Sequence, residues 1–178
     1  MSLIQFLSSI PVIFLMSNYI VFDFNKSSDI TSWNVVVDGV MGGRSTGEFY
    51  VGPDGHGIFE GTVSLENNGG FSSIRYGMQK LEVKEFTKFV IRLKGDGKKY
   101  QFRVRDSYNN YYSYITLIST TDAWQNIEIP FSIMYPHYRG RDLNLANFNG
   151  DSIVEIGFLI GNKKNERFKL EIDNIILE

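Results

Sequence analysis

From Tyr19 onward, apolar and polar residues alternate in short runs rather than recurring every three to four positions. YIVFDF, WNVVV, GEFYV, GIFEGTVSLE and GFSSIRY come first, followed by KFVIRLKG, KYQFRVRD, YYSYITLI, WQNIEIP, IVEIGFLIG and RFKLEIDNIIL. Clusters of Gly, Asn and Asp separate these runs at short intervals, the pattern of an all-β sandwich or barrel. No window between Tyr19 and Glu178 sustains a 3.6-residue apolar period, so no helix longer than about three turns is predicted there. Only FSIMYPHYRGRDLNLANFNG (131–150) lacks strand character, and a long, partly helical surface connection is expected for it. Two turns stand out. Asp96-Gly97 in KGDGKK lies between alternating runs, and a type I′ hairpin turn is expected, because that geometry requires positive φ. ENNGGF (66–71) supplies Asn and Gly, residues that tolerate left-handed backbone.

The alternation also assigns side chains to faces. Tyr100, Phe102 and Val104 share one side of their run, with Gln101, Arg103 and Arg105 on the other. Phe89, Ile91 and Leu93 are likewise opposed to Val90 and Arg92, and Ile74 to Arg75. If these runs are neighbours, Arg75, Arg92, Arg103 and Arg105 stand on the outer face of one sheet, where Tyr112 and Tyr114 are expected to join them. Arginines beside tyrosines make a platform for a polar ligand, a sugar or an acidic partner. A solvated face that resists aggregation is the plainer alternative.

Composition narrows the choice. A chain of 178 residues suits one domain, and 15% aromatic content favours β structure. Residues 19–178 are read as that domain, since no repeat, low-complexity linker or second core is visible. A net charge of −2 offers no basic field for nucleic acid. With no cysteine, thiol catalysis, disulfides and Cys-based zinc sites are excluded. Residues 1–18 are an apolar segment, too short to span a bilayer, that fits either a signal-like h-region or a packed arm. An envelope or periplasmic location follows from the first and a cytoplasmic one from the second.

The stretch VDGVMGGRSTG (37–47) looks at first like a phosphate loop. Walker A needs G-x-x-x-x-G-K-[ST] followed by a helix. Here the spacing is one residue short, Arg44 stands in place of lysine, and a strand-like EFYV follows, so no nucleotide site is expected. Asp38 and Arg44 are expected to pair or to contact a ligand, with Met41 as an apolar plug. The two histidines, His56 and His137, have no nucleophile motif beside them. Carboxylates for glycosidase chemistry exist in Glu66, Asp106 and Asp173, but among 20 acidic residues such sets arise by chance. No cofactor is expected. Asp23 and Asp173 are weak candidates for a calcium ion tying the first strand to the last.

DGVMGGRSTG, FEGTVSLENNGGFSSIR, KGDGKKYQFRVR, WQNIEIPFS, RGRDLN and EIGFLIGNKKNERFKLEIDNI occur in that order over residues 19–178. The set resembles the complex I intermediate-associated protein 30 family, although the family often has a polar residue where this chain has Val37. The resemblance implies a jelly-roll β-sandwich of the galactose-binding-like type, related to carbohydrate-binding modules. It supplies a fold and no reaction. It also implies a role like that of the family's eukaryotic members, which are mitochondrial assembly factors for NADH:ubiquinone oxidoreductase, though no transit region is expected in residues 1–18. Signature positions fall on Asp38, Asn67, Asn68, Arg75, Arg103, Arg105, Arg139 and Arg141. Together with Arg44, Tyr112 and Tyr114 these are the expected contacts to a protein partner, such as a membrane-bound respiratory complex or its intermediates. A carbohydrate-binding module is the alternative reading, and a carboxylate-pair hydrolase the third. Exposed flat rings would favour the glycan, but Trp33 and Trp124 are both expected to be buried.

Overall fold

The computed structural model describes residues 18–178, so the apolar segment 1–18 lies outside the described residues save for Asn18. Thirteen strands follow in chain order: β1 (Tyr19–Asp23), β2 (Trp33–Val37), β3 (Thr46–Val51), β4 (Gly57–Val63), β5 (Ser72–Glu82), β6 (Lys88–Lys94), β7 (Lys99–Arg105), β8 (Ser113–Ser119), β9 (Gln125–Pro130), β10 (Tyr135–Tyr138), β11 (Arg141–Asp142), β12 (Ser152–Ile160) and β13 (Glu166–Leu177). The helical content among the described residues is three short 3₁₀ turns, at Asp38–Met41, Glu66–Asn68 and Phe131–Ile133.

The strands form two sheets. One runs β3-β4-β13-β6-β9, with β1 also paired to β13; the other runs β11-β10-β8-β7-β12-β5-β2. Every pairing is antiparallel. This is an all-β jelly-roll sandwich, as the alternation and the resemblance implied. The inward sets are those read from the pattern: Phe89, Ile91 and Leu93 of β6 face Tyr100, Phe102 and Val104 of β7 across the core, and all six are fully buried. The rings of Phe89 and Phe102 meet at 5.0 Å between the sheets. Bulges let long strands keep feeding the core. In β13 the register shifts between Ile172 and Asn174, so the inward residues change from Phe168, Leu170 and Ile172 to Ile175 and Leu177.

Two expectations about connections need correction. KGDGKK is not a hairpin turn, because β6 and β7 belong to different sheets and the segment crosses between them. Only Gly97 there has positive φ (79°), so the doubly left-handed type I′ is also ruled out. Asp96 holds the crossing in place by accepting from the Lys169 amide at 2.9 Å and the Tyr100 hydroxyl at 3.1 Å. The segment 131–150 does contain strands: β10 and β11 form a hairpin on the outer edge of the seven-stranded sheet. Its two-residue loop is Arg139-Gly140, with φ of 46° and 80°, the primed turn expected elsewhere.

Candidate functional site

The outer face of the seven-stranded sheet carries a cleft of about 630 Å³. Register sets its floor. Across three neighbouring strands, Arg103 of β7, Gly157 of β12 and Arg75 of β5 lie side by side. Ile74, Phe102 and Phe158, their neighbours in sequence, fill the core, so the arginines point away from it. Gly157 packs so closely on β5 that an added Cβ would run into the Ile74 carbonyl oxygen. No side chain therefore rises between the two guanidinium groups. Arg105 and Arg139 add two more charges to the lining, which contains no carboxylate and no lysine.

These arginines are not equivalent. Arg105 is a strut: its Nη2 donates to the Tyr108 carbonyl at 3.2 Å and the Asn110 carbonyl at 2.6 Å, shaping the β7–β8 loop. Arg103 donates from Nη1 to the Gln101 side-chain oxygen at 2.6 Å. Burial, and then repulsion by the Arg75 charge, pull the Arg103 guanidinium down to about 10, so it stays protonated at neutral pH but is poorly compensated. The Arg75 side chain makes no hydrogen bond or ion pair among the described residues. Glu155 stands beside Arg105 in the ladder and favours the charge on Arg103, yet it is not within ion-pair distance of any of the three.

Aromatic residues form the rim, though not the two expected. Tyr114 is buried, packs on Phe148 at 5.2 Å, and has its phenol pushed well above the usual range, chiefly by burial. Tyr112 is half-buried with its hydroxyl 3.4 Å from that of Tyr114. The cleft instead takes Tyr111, 63% exposed, and Tyr138, whose rings meet edge-on at 5.0 Å and 86°. Arg139 lies over the Tyr138 ring at 5.3 Å, whereas Arg141 is exposed and outside the lining. His137 is fixed at the far wall by Asp142, 2.7 Å from its Nδ1. Phe71 and Leu159 add an apolar side.

Arg92 does not belong to this face. It lies in the other sheet, pairs with Asp173 at 3.1 Å, and covers the Trp124 ring at 5.4 Å. Trp33 is buried as expected, but Trp124 is half-exposed on the outer surface beside His56. Asp173 turns its two oxygens toward His56 and Arg92, and Asp23 pairs opposite Asn174, so the calcium candidates do not converge. No group of three or more His, Asp or Glu side chains suited to a metal occurs among the described residues. The carboxylates weighed for glycosidase chemistry have separate engagements: Glu66 with Arg44, Asp106 with Asn110, Asp173 as above.

The glycine-rich loop proves structural. Asp38 is fully buried and does not pair with Arg44, which reaches Glu66 at 2.8 Å on the surface. The Asp38 carboxylate accepts from the Ser45 amide (3.0 Å) and hydroxyl (2.5 Å), and from the Gly70 (2.6 Å) and Phe71 (3.2 Å) amides. Burial raises its pKa, but these four donors outweigh that and hold it below the ordinary value. Asn67 and Asn68 both adopt left-handed backbone, and Asn67 donates to the Gly42 carbonyl at 3.0 Å. Asp38 and Asn67 thus knit two loops together, and the second loop delivers Gly70 and Phe71 to the cleft edge. The side chain of Met41 lies outside what the structure describes. A second, more open depression of about 460 Å³ on the other sheet mixes Glu48, Glu60 and Asp96 with Lys98, Arg167 and Lys169, so its charges offset one another.

Comparison with known proteins gives this arrangement its relatives. The model of the complex I intermediate-associated protein 30 family matches residues 22–172. Mouse (Mus musculus) mitochondrial complex I intermediate-associated protein 30 is 27% identical over 182 residues, covering 88% of this chain and 55% of that protein. The chain therefore spans about half the length of that curated relative. Among solved structures, a family 11 carbohydrate-binding module from Clostridium thermocellum, in complex with a β-1,3-1,4-mixed-linked tetrasaccharide, is similar in fold. Its TM-score is 0.66 at 20% identity, covering 90% of this chain and 94% of that one. A family 29 carbohydrate-binding module gives a TM-score of 0.53 at 13% identity over 91% of both chains.

Proposed function

This chain belongs to the complex I intermediate-associated protein 30 family, and on that premise we propose that it is a non-catalytic binding domain whose arginine cleft holds a protein partner. The observation that carries the reading is the mismatch between the cleft and the rest of the molecule. A chain of net charge −2 gathers four arginines and no acid in one concave site. Holding like charges together raises the energy of the free state, and an acidic ligand would relieve it. The relative's name points to complex I and its assembly intermediates as the partner class.

A glycan is the second reading, favoured by the fold shared with carbohydrate-binding modules. The rim argues against it. Sugar rings stack on open aromatic faces, but Tyr138 is covered by Arg139 and meets Tyr111 at a right angle. The deciding experiment is capture from native membranes with identification of the bound proteins, run beside a glycan array. Enrichment of complex I subunits by the wild type, and its loss in an Arg75→Gln/Arg103→Gln variant, is expected. Glycan-array binding without such enrichment would replace this reading with the second.

A further inference from the structure

Arg75 and Arg103 flank Gly157 in one transverse row of the sheet, with two strand spacings (about 9.6 Å) between their Cα atoms. The Arg75 guanidinium has all its donors free among the described residues, and that of Arg103 has given only Nη1 to Gln101. Two guanidinium forks flanking a position without a side chain match a planar, two-oxygen acceptor. We propose that this row is the seat for a carboxylate, an Asp or Glu side chain carried by an acidic segment of the protein partner; this deepens the binding function proposed above and rests on it.

Three features favour a carboxylate on a peptide over a phosphoryl group. The lining has no lysine, and Nη2 of the third floor arginine, Arg105, is held by loop carbonyls. A tetrahedral group with three terminal oxygens would leave one facing no free fork on the floor. Phe71 and Leu159 on one side and Tyr111 on the other provide apolar walls for the methylene groups and neighbours of an acidic side chain.

The test uses the folded chain, an acetylated and amidated tetraglutamate peptide, its tetraglutamine counterpart and inorganic phosphate, followed by NMR in a buffer free of other oxyanions. The tetraglutamate peptide should shift the Gly157 amide and the Arg75 and Arg103 side-chain signals, while tetraglutamine leaves them unmoved. Arg75→Gln should weaken that binding by about tenfold or more. Arg75→Lys should fail to restore it, because an ammonium group keeps the charge and loses the fork. The Arg75 side chain makes no hydrogen bond among the described residues, so its variants are expected to keep the fold, and an unchanged dispersion of amide signals checks this. Equal binding of tetraglutamine, full affinity in Arg75→Gln, or phosphate saturating the same signals at lower concentration would each overturn the proposal. Complex I intermediates captured equally by wild type and Arg75→Gln would also overturn the seat while leaving the partner class intact. Peptide binding at the row without any such capture would keep the seat and remove the partner assignment.

Discussion

Replacing Asp38 by asparagine keeps the shape of the side chain and removes one of its two acceptors. At least one of the donors now held, from Ser45, Gly70 and Phe71, would be left facing an amide NH₂ in a buried site. A loss of about 2–3 kcal/mol at neutral pH is expected from chemical denaturation, since a buried donor without a partner costs about 1–3 kcal/mol. Folding depresses the Asp38 pKa below its ordinary 3.8, so the carboxylate's contribution is complete above that value and disappears as pH falls through the lower folded value. The stability gap between wild type and Asp38→Asn should therefore be widest near neutrality and narrow below pH 3.8; a gap that stays constant into acid would contradict this account. Asp38 could be singled out from the sequence, but its role could not. Its partners lie 7 to 33 positions away, and no local pattern reports that a carboxylate in a glycine-rich loop is enclosed.

Strands were legible wherever one face was apolar and the other polar, as in β6 and β7. Faces were misassigned where both sets were mixed. In β8 the inward residues Tyr114, Thr116 and Ile118 look no more apolar than Ser113, Ile115 and Leu117 on the other face, so alternation alone does not say which face Tyr112 and Tyr114 take. Turns failed for a different reason. An Asp-Gly pair reports a tolerance for positive φ, but whether the flanking strands pair with each other is decided by the whole sandwich. Two of the left-handed glycines, Gly97 and Gly140, separate these effects. At Gly97 and Gly140 an added Cβ meets nothing within 4 Å, so a valine there costs backbone strain alone. Each is expected to lower stability by about 1–3 kcal/mol, read from the denaturation midpoint. Gly140→Val should in addition weaken tetraglutamate binding, because it displaces Arg139 and Tyr138 at the cleft, whereas Gly97→Val should leave that binding unchanged. Equal binding losses in both would mean that the turn does not shape the site.

At the scale of the whole molecule, the architecture followed from the count and spacing of alternating runs, and the family from motifs spread along the domain. The cleft did not follow, because it depends on β5, β7 and β12 being neighbours, which no sequence interval expresses. Far-UV circular dichroism of a chain starting at Asn18 should show a β-type spectrum with no helical double minimum, as expected for thirteen strands and three 3₁₀ turns. A helical double minimum would refute the fold. The pairing of β1 with β13 has a further consequence. Tyr19 sits opposite Leu177, so the first and last strands run side by side in the sheet that does not carry the cleft. In path terms the domain is nearly a closed ring, with its entrance and exit at one door. A path that enters at Tyr19 and leaves after Leu177 does both on the sheet opposite the arginines, so the cleft strands carry neither crossing.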